Sequence, residues 1–97
     1  MTELSAADAA VREARAAEAQ TYAPVELRFA EDKLSRARSA ADAEEYTLAI
    51  ELAAQAQVDG ELAKAKSLAA RARAEVRQKT EENARMSREL LGEGERP

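Results

Sequence analysis

The apolar positions of this chain recur at helical spacing along almost its whole length. Leu4, Ala7, Val11 and Ala14 follow one another at steps of three, four and three residues, which lines one face of a helix. Leu27, Ala30, Leu34, Ala37 and Ala41 repeat those steps and form the clearest seam, with Val25, Phe29 and Ala40 beside it to widen the face. A third run begins with Tyr46, Ala49, Ala53, Ala56, Gly60 and Ala63, and then moves round to Val58, Leu62, Ala65, Ala69, Ala72 and Val76. Beyond Val76 the apolar positions thin to Met86, Leu90 and Leu91.

Local signals divide this pattern into three helices. Thr2 or Ser5 can cap the first, and Asp8, three residues after Ser5, completes a box-like start. Pro24 has no N–H and disfavours helical geometry at Ala23, but it suits the first position of a new helix, with Glu26 near the positive end of the dipole. Asp42 can cap the next helix, with Glu45 three residues on. The spacing predicts helices over about 5–20, 24–41 and 44–90, the last about 70 Å long. Residues 1–91 then form one all-α domain and 92–97 a flexible tail.

No helix is apolar all round, so each stripe needs a partner in this chain or in another copy. Two arrangements satisfy the stripes. Helix one can fold back into a compact three-helix bundle from which the C-terminal helix projects, or helices one and two, bent at Pro24, can lie end to end along helix three as an elongated antiparallel hairpin. Matched lengths favour the second: residues 5–41 reflect onto 45–81, placing Val11 opposite Glu75 and Val76, and Leu34 opposite Leu52. Gly60 would stand opposite the neighbourhood of Leu27, either as a close helix approach or as a tolerated glycine.

Composition sharpens the class. Of 97 residues, 25 are Ala, and Ala, Glu, Lys, Leu and Arg make up 64, beyond the roughly 50% typical of coiled coils and long helices. Gly occurs only at 60, 92 and 94 and Pro only at 24 and 97, which denies hairpins and sandwiches their turns. With no Cys and no His, there are no thiol or imidazole ligands or bases for structural zinc, haem or nucleophilic catalysis. No cofactor or metal is implied, and the chain reads as a non-enzyme. No apolar run approaches the 18 residues of a membrane span, and Met1 to Ala10 lacks the basic start and apolar stretch of a signal peptide, so a cytoplasmic location stays open.

Charge adds a polarity to the pattern. Residues 1–48 carry six basic and ten acidic side chains, whereas 49–97 carry nine of each. Lys64, Lys66, Arg71, Arg73, Arg77 and Lys79 form a basic stretch interrupted only by Glu75. Reflection turns it toward Asp8, Glu13 and Glu18 of helix one, a pairing that selects orientation more than it adds stability. Pairs such as Arg71 with Glu75, Arg77 with Glu81 and Arg85 with Glu89 can each add about 0.2–0.5 kcal/mol to the far end of helix three.

Candidate chemistry is sparse. Asp42, Glu44 and Glu45 are the densest acidic group, and a solvated helix start accounts for them better than a metal or acid–base site. Tyr22 and Tyr46 are candidate partner contacts, with packing beside a helix junction as the simpler role. The basic stretch could lie on anionic lipid or touch phosphates, but it lacks the aromatic anchors of either binder; intramolecular pairing is the preferred reading.

Tyr22-Ala23-Pro24-Val25-Glu26-Leu27-Arg28-Phe29-Ala30-Glu31-Asp32-Lys33-Leu34, followed by Ala49, Leu52-Ala53 and Gln55-Ala56-Gln57-Val58-Asp59, resembles a family of Ala-rich helical domains of unknown function in proteobacterial envelope proteins. Members are typically small lipoproteins, some with an OmpA-like peptidoglycan-binding domain. The resemblance spans about residues 5–75, and Tyr-Ala-Pro is its most specific element. Where the family usually has Gly-Asp-Tyr, this chain has Glu44-Glu45-Tyr46, which bears on how tight the second turn can be. The resemblance implies a periplasmic or outer-membrane-associated, non-catalytic spacer or protein-interaction module, with a protein partner or self-association and no small-molecule substrate. The alternative is a surface-binding helix using residues 64–79.

Overall fold

A computed structural model of the chain describes residues 1–95. It is all-α: α1 is Thr2–Ala16, α2 is Ala19–Tyr22, α3 is Pro24–Asp42 and α4 is Tyr46–Glu95. The molecule is elongated, with extents of 81 × 18 × 13 Å, because the 50 residues of α4 run unbroken for about 75 Å.

The element ends depart from the expected bounds for local reasons. α1 begins at Thr2, so Ser5 lies inside its first turn and donates its hydroxyl to the Met1 carbonyl at 3.3 Å. Asp8 does not complete a cap; it binds Arg12 at 3.0 Å and Arg38 at 2.7 Å. The first helix stops at Ala16 rather than near Gln20, because Glu18 turns to φ 66°, ψ 37° and its N–H bonds the Arg15 carbonyl at 2.9 Å. One helical turn, α2, follows, and the chain breaks again at Ala23 before Pro24 opens α3 as expected. At the second turn Glu44 takes φ 63°. Its N–H bonds the Ala41 carbonyl at 3.0 Å while that of Glu45 bonds Ala40 at 2.8 Å. These are the crossed hydrogen bonds of a Schellman cap, so the turn is tight without glycine. Asp42, Glu44 and Glu45 thus belong to a helix stop. The end of α4 runs past the expected bound of 90 to Glu95, and residues 96 and 97 of the expected tail lie outside the described residues.

The two breaks reverse the chain, and α1 folds back on α3. Asp8 meets Arg38 at 2.7 Å and Arg15 meets Glu31 at 3.3 Å, contacts that an end-to-end placement would hold tens of ångströms apart. α3 runs antiparallel to α4, with Lys33 on Asp59 and Lys66 on Glu26, both at 2.7 Å. α1 runs parallel to α4, with Glu13 near Lys64 at 3.6 Å and Glu18 near Arg71 at 3.7 Å. The elongated all-α shape holds, but its detail is the compact three-helix bundle with a projecting C-terminal helix; end-to-end packing of the first two helices is corrected. The physical reason lies in α1. Folded back, Ala7, Ala10, Val11 and Ala14 are covered by two helices at once and become buried.

Thirteen of the seventeen buried hydrophobic residues are alanine; Val11, Leu27, Leu34 and Leu52 are the others. Side chains this small let three backbones converge. Gly60 marks a close approach: a Cβ there would lie 3.1 Å from the carbonyl carbon and Cβ of Ala10. The close-approach reading of Gly60 therefore stands, with Ala10 of α1 as its neighbour instead of the vicinity of Leu27.

α4 turns a single stripe to the bundle, Ala49, Leu52, Ala53, Ala56, Gly60, Ala63 and Ser67. Ser67 is fully buried and satisfies its hydroxyl on the Ala63 carbonyl at 2.7 Å. The expected shift of the seam to Val58, Leu62, Ala65, Ala69, Ala72 and Val76 does not occur inside the molecule; all six are exposed. Val11 sits in the core and Val76 lies on the projecting helix, so the predicted pairing of those two is not made.

Candidate interaction surface

The candidate side chains fall at different places on this frame. At the end of the bundle, Tyr22 closes α2, Ala23 is buried, and Pro24 starts α3 with Glu26 in its first turn. The carboxylate of Glu26 faces α4 and accepts a hydrogen bond from Lys66 Nζ at 2.7 Å. That bond, with help from the Glu26 backbone N–H, holds the carboxyl below its ordinary pKa. Between α3 and α4 an open groove of about 440 Å³ is lined by Tyr22, Pro24, Glu26, Lys66, Ala69 and Arg73, among others.

Tyr22, Lys66 and Arg73 therefore come together. Tyr46 does not join them: it is exposed at the first residue of α4, beside the opposite turn. Lys64, Lys66 and Arg71 of the basic stretch are tied to Glu13, Glu26 and Glu18, which agrees with intramolecular pairing. Arg73, Arg77 and Lys79 enter no ion pair among the described residues, and the last two lie on the projecting part of α4. Two of the three acids expected to face this stretch, Glu13 and Glu18, do so; Asp8 serves α3. The i,i+4 ladder expected beyond Arg71 is not closed at ion-pair distance, and Gln78 instead donates to Glu82 at 3.2 Å.

Sequence reasoning missed the half-buried Lys33–Asp59 pair and the Lys66–Glu26 bond. The reflection carried a signal for the first, since it turns Lys33 toward the helix that bears Asp59; it turned Lys66 toward position 20 of helix one and so away from Glu26. Among the described residues no group of three or more acids is placed to hold a metal ion, and no helix is long and apolar enough to cross a membrane. The chemistry on offer is polar and aromatic contact on an open surface.

A family model described as Domain of unknown function (DUF4398) matches residues 2–79. The chain belongs to this family. The DUF4398 match takes in all of α1, α2 and α3, the groove at Tyr22, and α4 as far as Lys79, so the family unit is the bundle together with the first turns of the projecting helix. Comparison with curated proteins and with solved structures gives no match.

Proposed function

We propose that this DUF4398 domain is a non-catalytic spacer and protein-interaction module of the bacterial cell envelope. The observation that carries the reading is the shape: a bundle cored by alanine anchors one end of a helix that runs on alone from Glu75 to at least Gly92, every residue exposed. Such a frame has little interior for a reaction and a long surface for contact. The envelope assignment is supported by the resemblance of the Tyr22-Ala23-Pro24 segment to envelope lipoproteins. Fractionation of cells expressing the full native gene tests it. The protein should appear with the envelope, and recovery in the cytosol alone would overturn the placement.

A second reading has one observation in its favour. Arg73, Arg77 and Lys79 carry charge that no acid of the bundle neutralises, and an anionic lipid or nucleic-acid backbone would be attracted to them. Binding to anionic liposomes and to DNA, followed against salt, separates the two. The spacer reading expects weak binding; tight, steeply salt-dependent binding abolished by neutralising Arg71, Arg73 and Arg77 would replace it.

A further inference from the structure

The exposed stripe of α4 has a regularity that its burial inside the molecule does not require. Val58, Leu62, Ala65, Ala69, Ala72 and Val76 follow one another at alternating steps of four and three. The same steps continue through Lys79, Asn83, Met86 and Leu90. The stripe that packs against α1 and α3 has the identical rhythm, displaced by two residues, from Ala56, Gly60, Ala63 and Ser67. Two residues turn a helix by about 200°, so α4 carries two heptad seams on opposite faces, one filled and one open. The open seam is well exposed: Val58 by 62%, Leu62 by 46%, Val76 by 64%, Met86 by 59% and Leu90 by 63%. A 3.5-residue apolar repeat sustained this long is the pattern of a helix that pairs with another helix.

We propose that the occupant is a second copy of this chain, paired through α4 in parallel. Charge beside the seam selects both the partner and the direction. One edge carries Glu61, Leu68, Glu75, Glu82 and Glu89; the other carries Asp59, already paired with Lys33 of its own chain, then Lys66 and Arg73, with Thr80 and Ser87 neutral below them. A parallel pair sets each residue of the first edge beside the residue five positions later on the second copy. Glu61 then meets Lys66 of the other chain, twice over by symmetry, in exchange for the Lys66–Glu26 bond that each chain makes within itself. An antiparallel self-pair with Leu62 facing Met86 sets Glu61 against Glu89, Glu75 against Glu75 and Arg73 against Arg73, and leaves Lys66 beside Thr80. Lys79 and Asn83 place two polar layers within the seam, which fixes register at a cost in affinity, so the dimer forms reversibly.

The inference goes beyond the spacer reading and stands on different observations; a chain that dimerises but fractionates with the cytosol keeps one and loses the other. Sedimentation equilibrium of the full chain should show a mass rising with concentration from 10.5 kDa toward twice that value. Leu62→Glu and Val76→Glu should each weaken the dimer at least about tenfold, by about 1.4 kcal/mol, while the helical circular dichroism and the dilute melting temperature stay unchanged, because both side chains are exposed. Lys79→Leu should tighten it. For direction, Met86→Cys chains should cross-link with themselves under mild oxidation, and the chain has no native Cys to compete. In an antiparallel overlap of the seam, position 86 would instead face position 62. A mass of 10.5 kDa up to millimolar concentration, association indifferent to Leu62→Glu and Val76→Glu together, or cross-linking confined to mixtures of Leu62→Cys with Met86→Cys would overturn the proposal.

Discussion

Glu18 and Glu44 hold left-handed backbone angles, φ 66° and 63°, which an L side chain adopts at a cost of about 1–2 kcal/mol. Glu18 has an offsetting contact, its carboxylate reaching Arg71 at 3.7 Å; Glu44 has no ion pair among the described residues. Glycine at 44 would therefore remove strain without removing a partner. Glu44→Gly should stabilise the bundle by about 0.5–1 kcal/mol, less than the full strain because glycine has more entropy to lose on folding, seen as a rise of a few degrees in the thermal midpoint. Glu26 gives a residue-scale prediction in pH. Its folded pKa is lowered by the Lys66 hydrogen bond, so the pair's contribution is full above the ordinary Glu value and fades as pH falls through the lowered folded value. A carbon-13 titration of the Glu26 carboxyl should give a midpoint below the ordinary Glu value, and Lys66→Ala should return it upward.

At the scale of elements, the decisive feature is the reversal between α1 and α3. Arg12 and Ser35 are exposed on the two helices and lie at similar heights in the fold-back register defined by Asp8–Arg38 and Arg15–Glu31. Spin labels at 12 and 35 should report a narrow distance governed by neighbouring helix axes, about 8–10 Å apart, plus the label linkers. End-to-end helices would hold the same positions about 35 Å apart. Periodicity made the existence and faces of the helices legible, and Pro24 marked the start of α3. The reversal was not legible because its signal is absent from residue type: Ala17 and Glu18 resemble any helix interior, and only the backbone angle at Glu18 ends α1. Matched lengths then made the hairpin look natural, since reflection about one turn counts residues and is blind to a second turn. The groove was half legible for the same reason. Tyr22, Lys66 and Arg73 were singled out separately, but their convergence depends on where α4 passes the α2–α3 junction.

At the scale of the whole molecule, two lengths matter: the bundle, and the helix that outruns it. Contacts from α1, α2 and α3 reach α4 no farther than the neighbourhood of Arg71 and Arg73, and everything from Glu75 to Gly92 is exposed. The projecting turns therefore take no part in the core, although the family match continues to Lys79. A chain ending at Lys79 should unfold, at dilute concentration, within about 0.5 kcal/mol of the full chain, as do surface changes away from buried features. Amides beyond Val76 should exchange with solvent far faster than those of residues 49–70, because a single helix without packing opens locally at little cost. Concentration then distinguishes a mere overhang from an associating arm. A dimer stabilises the folded state by mass action, so the melting temperature of the full chain should climb with concentration. The shortened chain, which lacks Asn83, Met86 and Leu90 of the open seam, should climb less. Equal slopes for the two chains would confine any association to residues 58–79, and a shortened chain that has lost several kcal/mol even when dilute would mean that the last turns of α4 support the bundle after all.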